Sequence, residues 1–267
     1  MTAAALAFAA LAALASASAS VRAQVPPSGA EIAAYRGLHA AAQRGDAAEI
    51  ERLVRAAGGS NGTPSTGSPA RPSGVAQPPG PALRPQPAAA ARAALEARDA
   101  NGRTPLHVAT FARRRDAIRA LLAAGADSAA LDNDRYDAVT IASVADDEDT
   151  LRTLLAAGAS AKLVTSRYDG TALIAAAHLG HAGVMRQLIA AGAPLDHVNN
   201  LGWTALIEAV VLGDGGPRHQ ACVDALLGAG ADRTIGDRSR RTPLQLARDR
   251  GYTAIVALLE RPASPRR

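Results

Sequence analysis

The chain has very few of the residues on which common catalytic and metal sites depend. Its one cysteine, Cys222, can form neither an internal disulfide nor a zinc site built from several thiolates. Its one lysine, Lys162, lacks the glycine run and the Ser or Thr of a phosphate-binding loop of the Gly-Lys-Ser/Thr type. Neither a Gly-x-Ser-x-Gly elbow nor a His-Glu-x-x-His helix occurs. We therefore expect a protein that needs no cofactor and is not an enzyme.

Aromatic side chains are also scarce. The 267 residues include two phenylalanines, four tyrosines and one tryptophan, although 48% of the chain is hydrophobic. The core must therefore consist mainly of Ala, Leu, Val and Ile. Side chains this small suit helices that stack closely on one another.

Basic residues exceed acidic ones over the whole chain, which has a formal net charge of +5. Seven of the arginines lie outside the repeated part described below: Arg22, Arg71, Arg84, Arg92, Arg261, Arg266 and Arg267. Without them, 22 of the 29 basic residues remain against 24 acidic ones. Nucleic-acid-binding proteins cluster positive charge on one face, so the nearly neutral repeats argue against a nucleic acid as the partner.

The first 23 residues have the pattern of an export signal peptide. An apolar run over residues 3–15 precedes small residues and the sequence Val21-Arg22-Ala23, which predicts cleavage after Ala23. The run is shorter than the roughly 20 apolar residues of a transmembrane helix, and no cysteine lies close behind it to carry a lipid. One departure from the pattern is that no Lys or Arg precedes the run. We expect a periplasmic or secreted protein with no membrane anchor after cleavage.

One short phrase recurs four times along the chain. It reads Leu-Leu-Ala-Ala-Gly-Ala-Asp at residues 121–127, and related versions occupy residues 154–160, 188–194 and 226–232. The glycines of successive phrases are separated by 33, 34 and 38 residues. A unit of this length is too small to bury its own apolar face, so successive units must stack on each other. The spacing therefore predicts a solenoid, which displays an extended surface.

A second phrase recurs just upstream of the first. Thr-Pro-Leu-His-Val-Ala stands at residues 104–109, and similar phrases occupy residues 171–176, 204–209 and 242–247. Together the two phrases resemble the ankyrin repeat family over most of residues 36–260. The resemblance implies an all-α fold, a solenoid of helix pairs with short β-hairpin turns, and a concave face that binds another protein. The departures are local, such as the replacement of the phrase's histidine in every unit but the first.

The phrases also contain the signals that begin and end helices. Thr104 can cap the first helix of its unit, and Pro105 suits the first helical turn because a proline there loses no hydrogen bond. Gly125 follows the second helix, where the chain needs a left-handed residue. These signals predict two short antiparallel helices in each unit.

After the signal peptide, the pattern divides the chain into four parts. They are a capping repeat at residues 30–59, a disordered Pro/Gly/Ser/Ala-rich insert at 60–93, five ankyrin repeats at 94–260, and a disordered basic tail at 261–267. The insert has the composition of a tolerated surface loop, while its Pro-Pro-Gly-Pro and Pro-Gln-Pro runs leave a proline-rich ligand open as an alternative.

Two sets of positions are candidates for contact with a protein partner, because they recur at the tips of the turns and on the exposed side of the first helices. The tip positions with large side chains are Arg103, Tyr136, Trp203 and Arg241. The helix positions are Phe111, Val144, His178 and Val211. Arg, Tyr and Trp are enriched in binding hot spots, and a mostly apolar strip favours a protein partner. The alternative for Trp203 and Phe111 is that they pack against neighbouring repeats.

Other functions remain open at the level of sequence. A secreted effector that binds a host protein would use the same surface. A small metal-dependent enzyme would use His178, His181 and Asp214, although metal sites usually need more ligands. Self-assembly through the end repeats is a third possibility, but the charged residues Glu260 and Arg261 at the last helix favour a monomer.

Overall fold

A computed structural model describes residues 25–59 and 88–262. The predicted signal peptide, the insert up to residue 87 and the basic tail from residue 263 lie outside the described residues. Among the described residues, no helix has both the length and the apolar character needed to cross a membrane.

The described residues form short helices and a single two-stranded sheet. The helices are α1 (Gly29–Ala34), α2 (Gly37–Arg44), α3 (Ala47–Gly58), α4 (Ala89–Leu95), α5 (Pro105–Phe111), α6 (Arg115–Ala123), α7 (Ala138–Val144), α8 (Glu148–Ala156), α9 (Ala172–Leu179), α10 (Ala182–Ala190), α11 (Ala205–Val211), α12 (Pro217–Gly228), α13 (Pro243–Asp249) and α14 (Thr253–Glu260). The strands are β1 (Val164–Thr165) and β2 (Gly170–Thr171), which pair in antiparallel fashion with Val164 opposite Thr171.

The helices form two stacked rows. Helices α2, α5, α7, α9, α11 and α13 pack against one another in sequence order, and we call them the inner helices. Helices α3, α6, α8, α10, α12 and α14 form the parallel outer row in the same order. Each inner helix also packs against the outer helix that follows it. The solenoid of helix pairs predicted from the repeat spacing is therefore confirmed.

Local sequence sets the ends of these helices. The hydroxyl oxygens of Thr171 and Thr204 accept hydrogen bonds from amides three residues further on, at 3.3 and 3.2 Å. Pro105 occupies the first turn of α5. Gly125 has a φ of 95°, a left-handed conformation that glycine adopts without strain. Pro105 and Gly125 thus have the roles predicted for them, while at Thr104 the backbone amide donates a hydrogen bond to Nδ1 of His107.

The core runs between the two rows of helices and consists of small and branched apolar side chains. Leu121, Leu154, Leu188 and Leu226, which occupy one position of the recurring phrase, each have no exposed surface. A fully buried leucine contributes about 1.5–3 kcal/mol relative to an exposed one. Because the outer helices that carry these leucines pack against the inner helix of their own unit and against the next outer helix, stability depends on contact between neighbouring repeats.

One prediction about local structure differs from the structure. Residues 89–93 were predicted to belong to the disordered insert, but they lie in α4, where the alanine-rich sequence favours a helix and Leu95 is completely buried. Helix α4 packs on α3, which explains its stability. Within the described residues, β-pairing occurs only in the turn at residues 164–171, and side-chain hydrogen bonds stabilise the other turns.

Candidate protein-binding groove

The loop before each inner helix, which we call a finger, contains the same hydrogen-bonded turn in all five full repeats. The first residue of the turn accepts from the backbone amides two and four residues further on. In the fourth repeat, Asn199 Oδ1 accepts from the amides of Leu201 and Trp203, both at 3.0 Å. The residues with this role are Asp99, Asp132, Ser166, Asn199 and Asp237. Each turn fixes the residue that precedes the inner helix.

Neighbouring fingers are also hydrogen bonded to one another. The amide of a later finger donates to a carbonyl oxygen of the finger before it, at distances of 2.7 to 3.0 Å. These pairs are Asn133 to Asn101, Ser166 to Arg135 and Asn200 to Tyr168. The guanidinium of Arg238 continues the series by donating to the carbonyl of Asn200. The fingers therefore form one connected wall beside the inner helices.

A groove of about 440 Å³ lies between this wall and the inner helices of the second to fifth full repeats. Six of the eight predicted binding residues line it: Tyr136, Val144, His178, Trp203, Val211 and Arg241. Each of the six is partly exposed. The predicted tip positions and helix positions thus meet on a single concave surface over these repeats.

Trp203 has two roles in the groove. Its ring packs against the hydrophobic core, as the alternative interpretation of the sequence proposed, and it also lines the groove. Tyr136 is likewise half-buried, and burial raises the pKa of its hydroxyl. These two rings therefore contribute to the stability of the repeats as well as to the surface.

Arg103 and Phe111 do not line the groove, so the structure does not bring them together with the other six predicted residues. Arg103 is 6% exposed because residues at the beginning of the described chain cover it. Its guanidinium donates to the carbonyl of Val25, pairs with Glu31 at 3.5 Å, and lies 4.9 Å from the ring centroid of Phe111. The sequence contained one signal for this cover, since Ser28 and Glu31 have the spacing of a capping box and begin α1.

Glu208 is one of the groove residues that the sequence analysis missed, and it is the one whose chemistry is least expected there. It stands on inner helix α11 at 4% exposure. At the same position, the other full repeats have apolar residues: Val108, Ile141, Ala175 and Leu246. The side-chain amide of Asn199 donates to Glu208 Oε1 at 2.9 Å, and Nδ1 of His178 lies 3.6 Å from Oε2. The sequence signal that could have identified Glu208 is an acidic residue at a position that is apolar in the other full repeats.

Burial shifts the protonation of both members of this pair. Loss of water raises the pKa of Glu208 to about 7, and the hydrogen bond from Asn199 only partly opposes the shift. Burial also lowers the pKa of His178, and the nearby His219 lowers it further. Near neutral pH, Glu208 and His178 therefore do not form a full ion pair.

The other charged side chains near Glu208 already have partners. Arg241 forms two hydrogen bonds to Asp237 Oδ2, at 2.9 and 3.1 Å. Arg250 donates to the carbonyl oxygen of Val211 at 3.3 Å. Neither guanidinium forms an ion pair with Glu208, so no arginine among the described residues neutralises this carboxylate.

The residues considered for a metal-dependent enzyme have separate partners. His181 Nδ1 lies 3.0 Å from the carbonyl oxygen of Ser143, and Asp214 pairs with His219 at 2.8 Å. His178 faces Glu208. Over residues 25–59 and 88–262, no group of three or more His, Cys, Asp or Glu side chains is arranged to hold a metal ion.

A stack of helix pairs whose fingers and inner helices enclose a groove defines a repeat protein of the binding class. The chain belongs to the ankyrin repeat family. A family model for three copies of the ankyrin repeat matches residues 139–237, and a model for a single ankyrin repeat matches residues 101–133.

Three similar proteins are also described as ankyrin repeat proteins or domains. The ankyrin repeat protein YahD of Escherichia coli (strain K12) is 36% identical over 162 residues, which cover 60% of this chain and 80% of that protein. A solved ankyrin repeat domain from Acinetobacter baumannii AYE is 38% identical, with a TM-score of 0.64 over 83% of this chain and 95% of that one. The solved ankyrin repeat protein EF0377 is 28% identical, with a TM-score of 0.64 over 84% of this chain and 98% of that one. Ankyrin repeats are protein–protein interaction modules.

Proposed function

We propose that this chain is an exported, non-catalytic protein that binds a partner protein in its concave groove. The observation that carries the proposal is the meeting of six predicted contact residues in one groove of about 440 Å³. The partner would be held between the wall of fingers and the inner helices.

The composition of the groove supports a protein as the ligand. Val144 and Val211 present apolar surface from the inner helices, while Trp203 and Tyr136 present aromatic rings from the fingers. Apolar surface with aromatic and arginine side chains is typical of the central part of protein interfaces. The arginines of the groove are engaged by carboxylates and carbonyl oxygens, so this surface lacks the free positive charge that nucleic acids require.

A bulky charge placed in the groove should prevent binding. In the cell that produces the protein, a photocrosslinking amino acid at Leu212 should capture the partner, because Leu212 lines the groove. We expect Val211→Arg to reduce this crosslink by about tenfold or more, since the long charged side chain would occupy the groove and displace the apolar groups of a partner. The measurement is the yield of the crosslinked species by mass spectrometry.

The matched control is Ala156→Arg, which adds the same side chain to an exposed position at the end of outer helix α8. This variant should retain the crosslink, and both variants should keep the helical circular dichroism of the wild-type chain. Equal crosslinking by the wild-type chain and Val211→Arg, or no crosslink at Leu212 at all, would contradict binding in the groove.

The exported location in this proposal rests on the pattern of residues 1–23. We expect the protein recovered from its native cell to begin at Gln24 and to be found outside the cytoplasm. Intact-mass measurement of the periplasmic and culture fractions tests this. A chain recovered only from the cytoplasm with residues 1–23 still attached would contradict export. Recovery from the medium and not from the periplasm would favour the effector over a periplasmic partner.

A further inference from the structure

Two departures from the repeat pattern occur side by side in the groove. Glu208 replaces an apolar residue, and Asn199 occupies a turn position that is aspartate in three of the other four fingers. An aspartate at position 199 would place a second carboxylate next to Glu208, whereas the amide of Asn199 donates to it at 2.9 Å. The asparagine therefore supports a buried acid while still closing the turn of the finger.

A buried carboxylate is costly unless it is paired, so its presence needs a reason other than stability. The corresponding positions of the other full repeats show that an apolar side chain is sufficient for packing at this place in the fold. Departures that weaken a fold locally are expected where a protein binds its ligand. Glu208 lines the groove, so this acid has access to a bound partner.

One oxygen of Glu208 remains available for a partner. Oε1 accepts the hydrogen bond from Asn199, but Oε2 has His178 Nδ1 only at 3.6 Å, which is too long for a hydrogen bond. His178 is itself a departure, because the corresponding residues of the neighbouring repeats are Val144 and Val211. Two adjacent inner helices thus direct polar groups to the same point of an apolar surface.

The surroundings of Glu208 favour a basic side chain as its partner. A carboxylate and a neutral imidazole both accept hydrogen bonds, and the neighbouring Arg241 and Arg250 are engaged elsewhere. The long apolar stems of arginine and lysine pack along apolar walls such as Val211. The aromatic ring of Trp203 in the same groove also attracts a cation.

We propose that Glu208 and His178 form a subsite for one arginine or lysine side chain, carried on an otherwise apolar segment of the partner protein. The inference rests on the proposed function, because it assumes that the groove binds a protein. A basic side chain would hydrogen bond to Glu208 Oε2 and restore a full ion pair in the groove, where it is screened little by solvent.

Peptide selection tests this subsite without knowledge of the natural partner. Short random peptides displayed on phage are selected on the immobilised full chain, after depletion on the Val211→Arg variant to remove peptides that bind outside the groove. We expect the remaining peptides to share an arginine or lysine next to apolar residues. Glu208→Gln should weaken their binding by about tenfold or more, because it removes one partner of a buried charge pair.

Two controls separate loss of the subsite from loss of structure. Glu51→Gln removes an exposed carboxylate on outer helix α3 and should leave the peptide dissociation constant unchanged. Replacing the basic residue of the peptide by glutamine should weaken binding to the wild-type chain, yet have little further effect on binding to Glu208→Gln.

The outcomes distinguish the subsite from the groove. Peptides that depend on the groove but lack a basic residue, or that bind Glu208→Gln as tightly as wild type, would overturn the subsite and leave the proposed function intact. The absence of any peptide whose binding is lost in Val211→Arg would count against both.

Discussion

Lowering the pH from 6.5 to about 4 should decrease the free energy of unfolding by about 3 kcal/mol through His107 alone. His107 is 1% exposed, and burial lowers its pKa from 6.5 to about 4. In the unfolded chain His107 binds a proton near pH 6.5, whereas in the folded chain it binds one only near pH 4. The stabilisation is therefore complete above pH 6.5 and is lost as the pH falls through this window.

The hydrogen bonds of His107 show why the neutral form is required. Its Nδ1 accepts from the backbone amide of Thr104 at 3.1 Å, so Nε2 carries the proton and donates to the carbonyl of Tyr136 at 3.0 Å. Protonation of Nδ1 would remove the acceptor that begins α5. The same ring joins the first full repeat to the finger of the second, so both units should be weakened together.

The chain itself provides the control for this prediction. In the last repeat, Gln245 occupies the position of His107 and accepts from the amide of Thr242 at 2.9 Å. His107→Gln should therefore keep the cap but lose the titration. Urea unfolding at pH 7.5 and pH 4.5 should show a smaller loss of stability for this variant than for wild type. An equal loss in the two proteins would mean that His107 is not the acid-sensitive group.

Glu208→Gln should raise the free energy of unfolding above pH 7 by up to about 3 kcal/mol. The unfolded glutamate ionises near pH 4.5, whereas burial raises its folded pKa to about 7. The cost of the buried charge is therefore absent below pH 4.5, develops as the pH rises, and is complete above pH 7. Glutamine has nearly the same shape and carries no charge.

The difference in stability between Glu208→Gln and wild type, measured by urea unfolding from pH 4 to pH 8, should increase with pH. His178 has a lowered pKa and acts in the opposite direction, because the unfolded chain binds its proton more readily as the pH falls. Taking the difference between the two proteins removes most of this contribution. A difference that stays constant across the range would contradict a buried, ionising Glu208.

If Glu208→Gln is more stable than the wild-type chain but binds the selected peptides less tightly, stability and binding are opposed at this position.

The repeat architecture could be predicted from sequence because its signals are local and recur. The leucine and glycine of the phrase at 121–127 return in four of the five full repeats. A threonine, or Asp137 in the second repeat, precedes each first helix and fixes where that helix begins. Six groove residues were predicted for the same reason, since equivalent positions in a solenoid line the same surface.

The features that could not be predicted depend on single residues or distant contacts. Glu208 interrupts a repeated apolar position once, and its meaning depends on Asn199 and His178 from two other segments. The cover over Arg103 depends on Val25 and Glu31, which are more than seventy residues away in sequence. Residues 89–93 of helix α4 were wrongly assigned to the disordered insert because their alanine-rich sequence continues directly from the proline-rich part.

The hydrogen bonds between successive fingers affect how a partner is recognised. A surface made of independent loops must lose conformational entropy when it binds, and this loss weakens affinity. Here the backbone bonds from Asn133 to Asn101, and from Asn200 to Tyr168, order the loops during folding and before any encounter. The wall is thus preorganised, and affinity should depend on how well a partner fits its shape. A partner of the wrong contour gains little from a surface that cannot adjust one loop at a time.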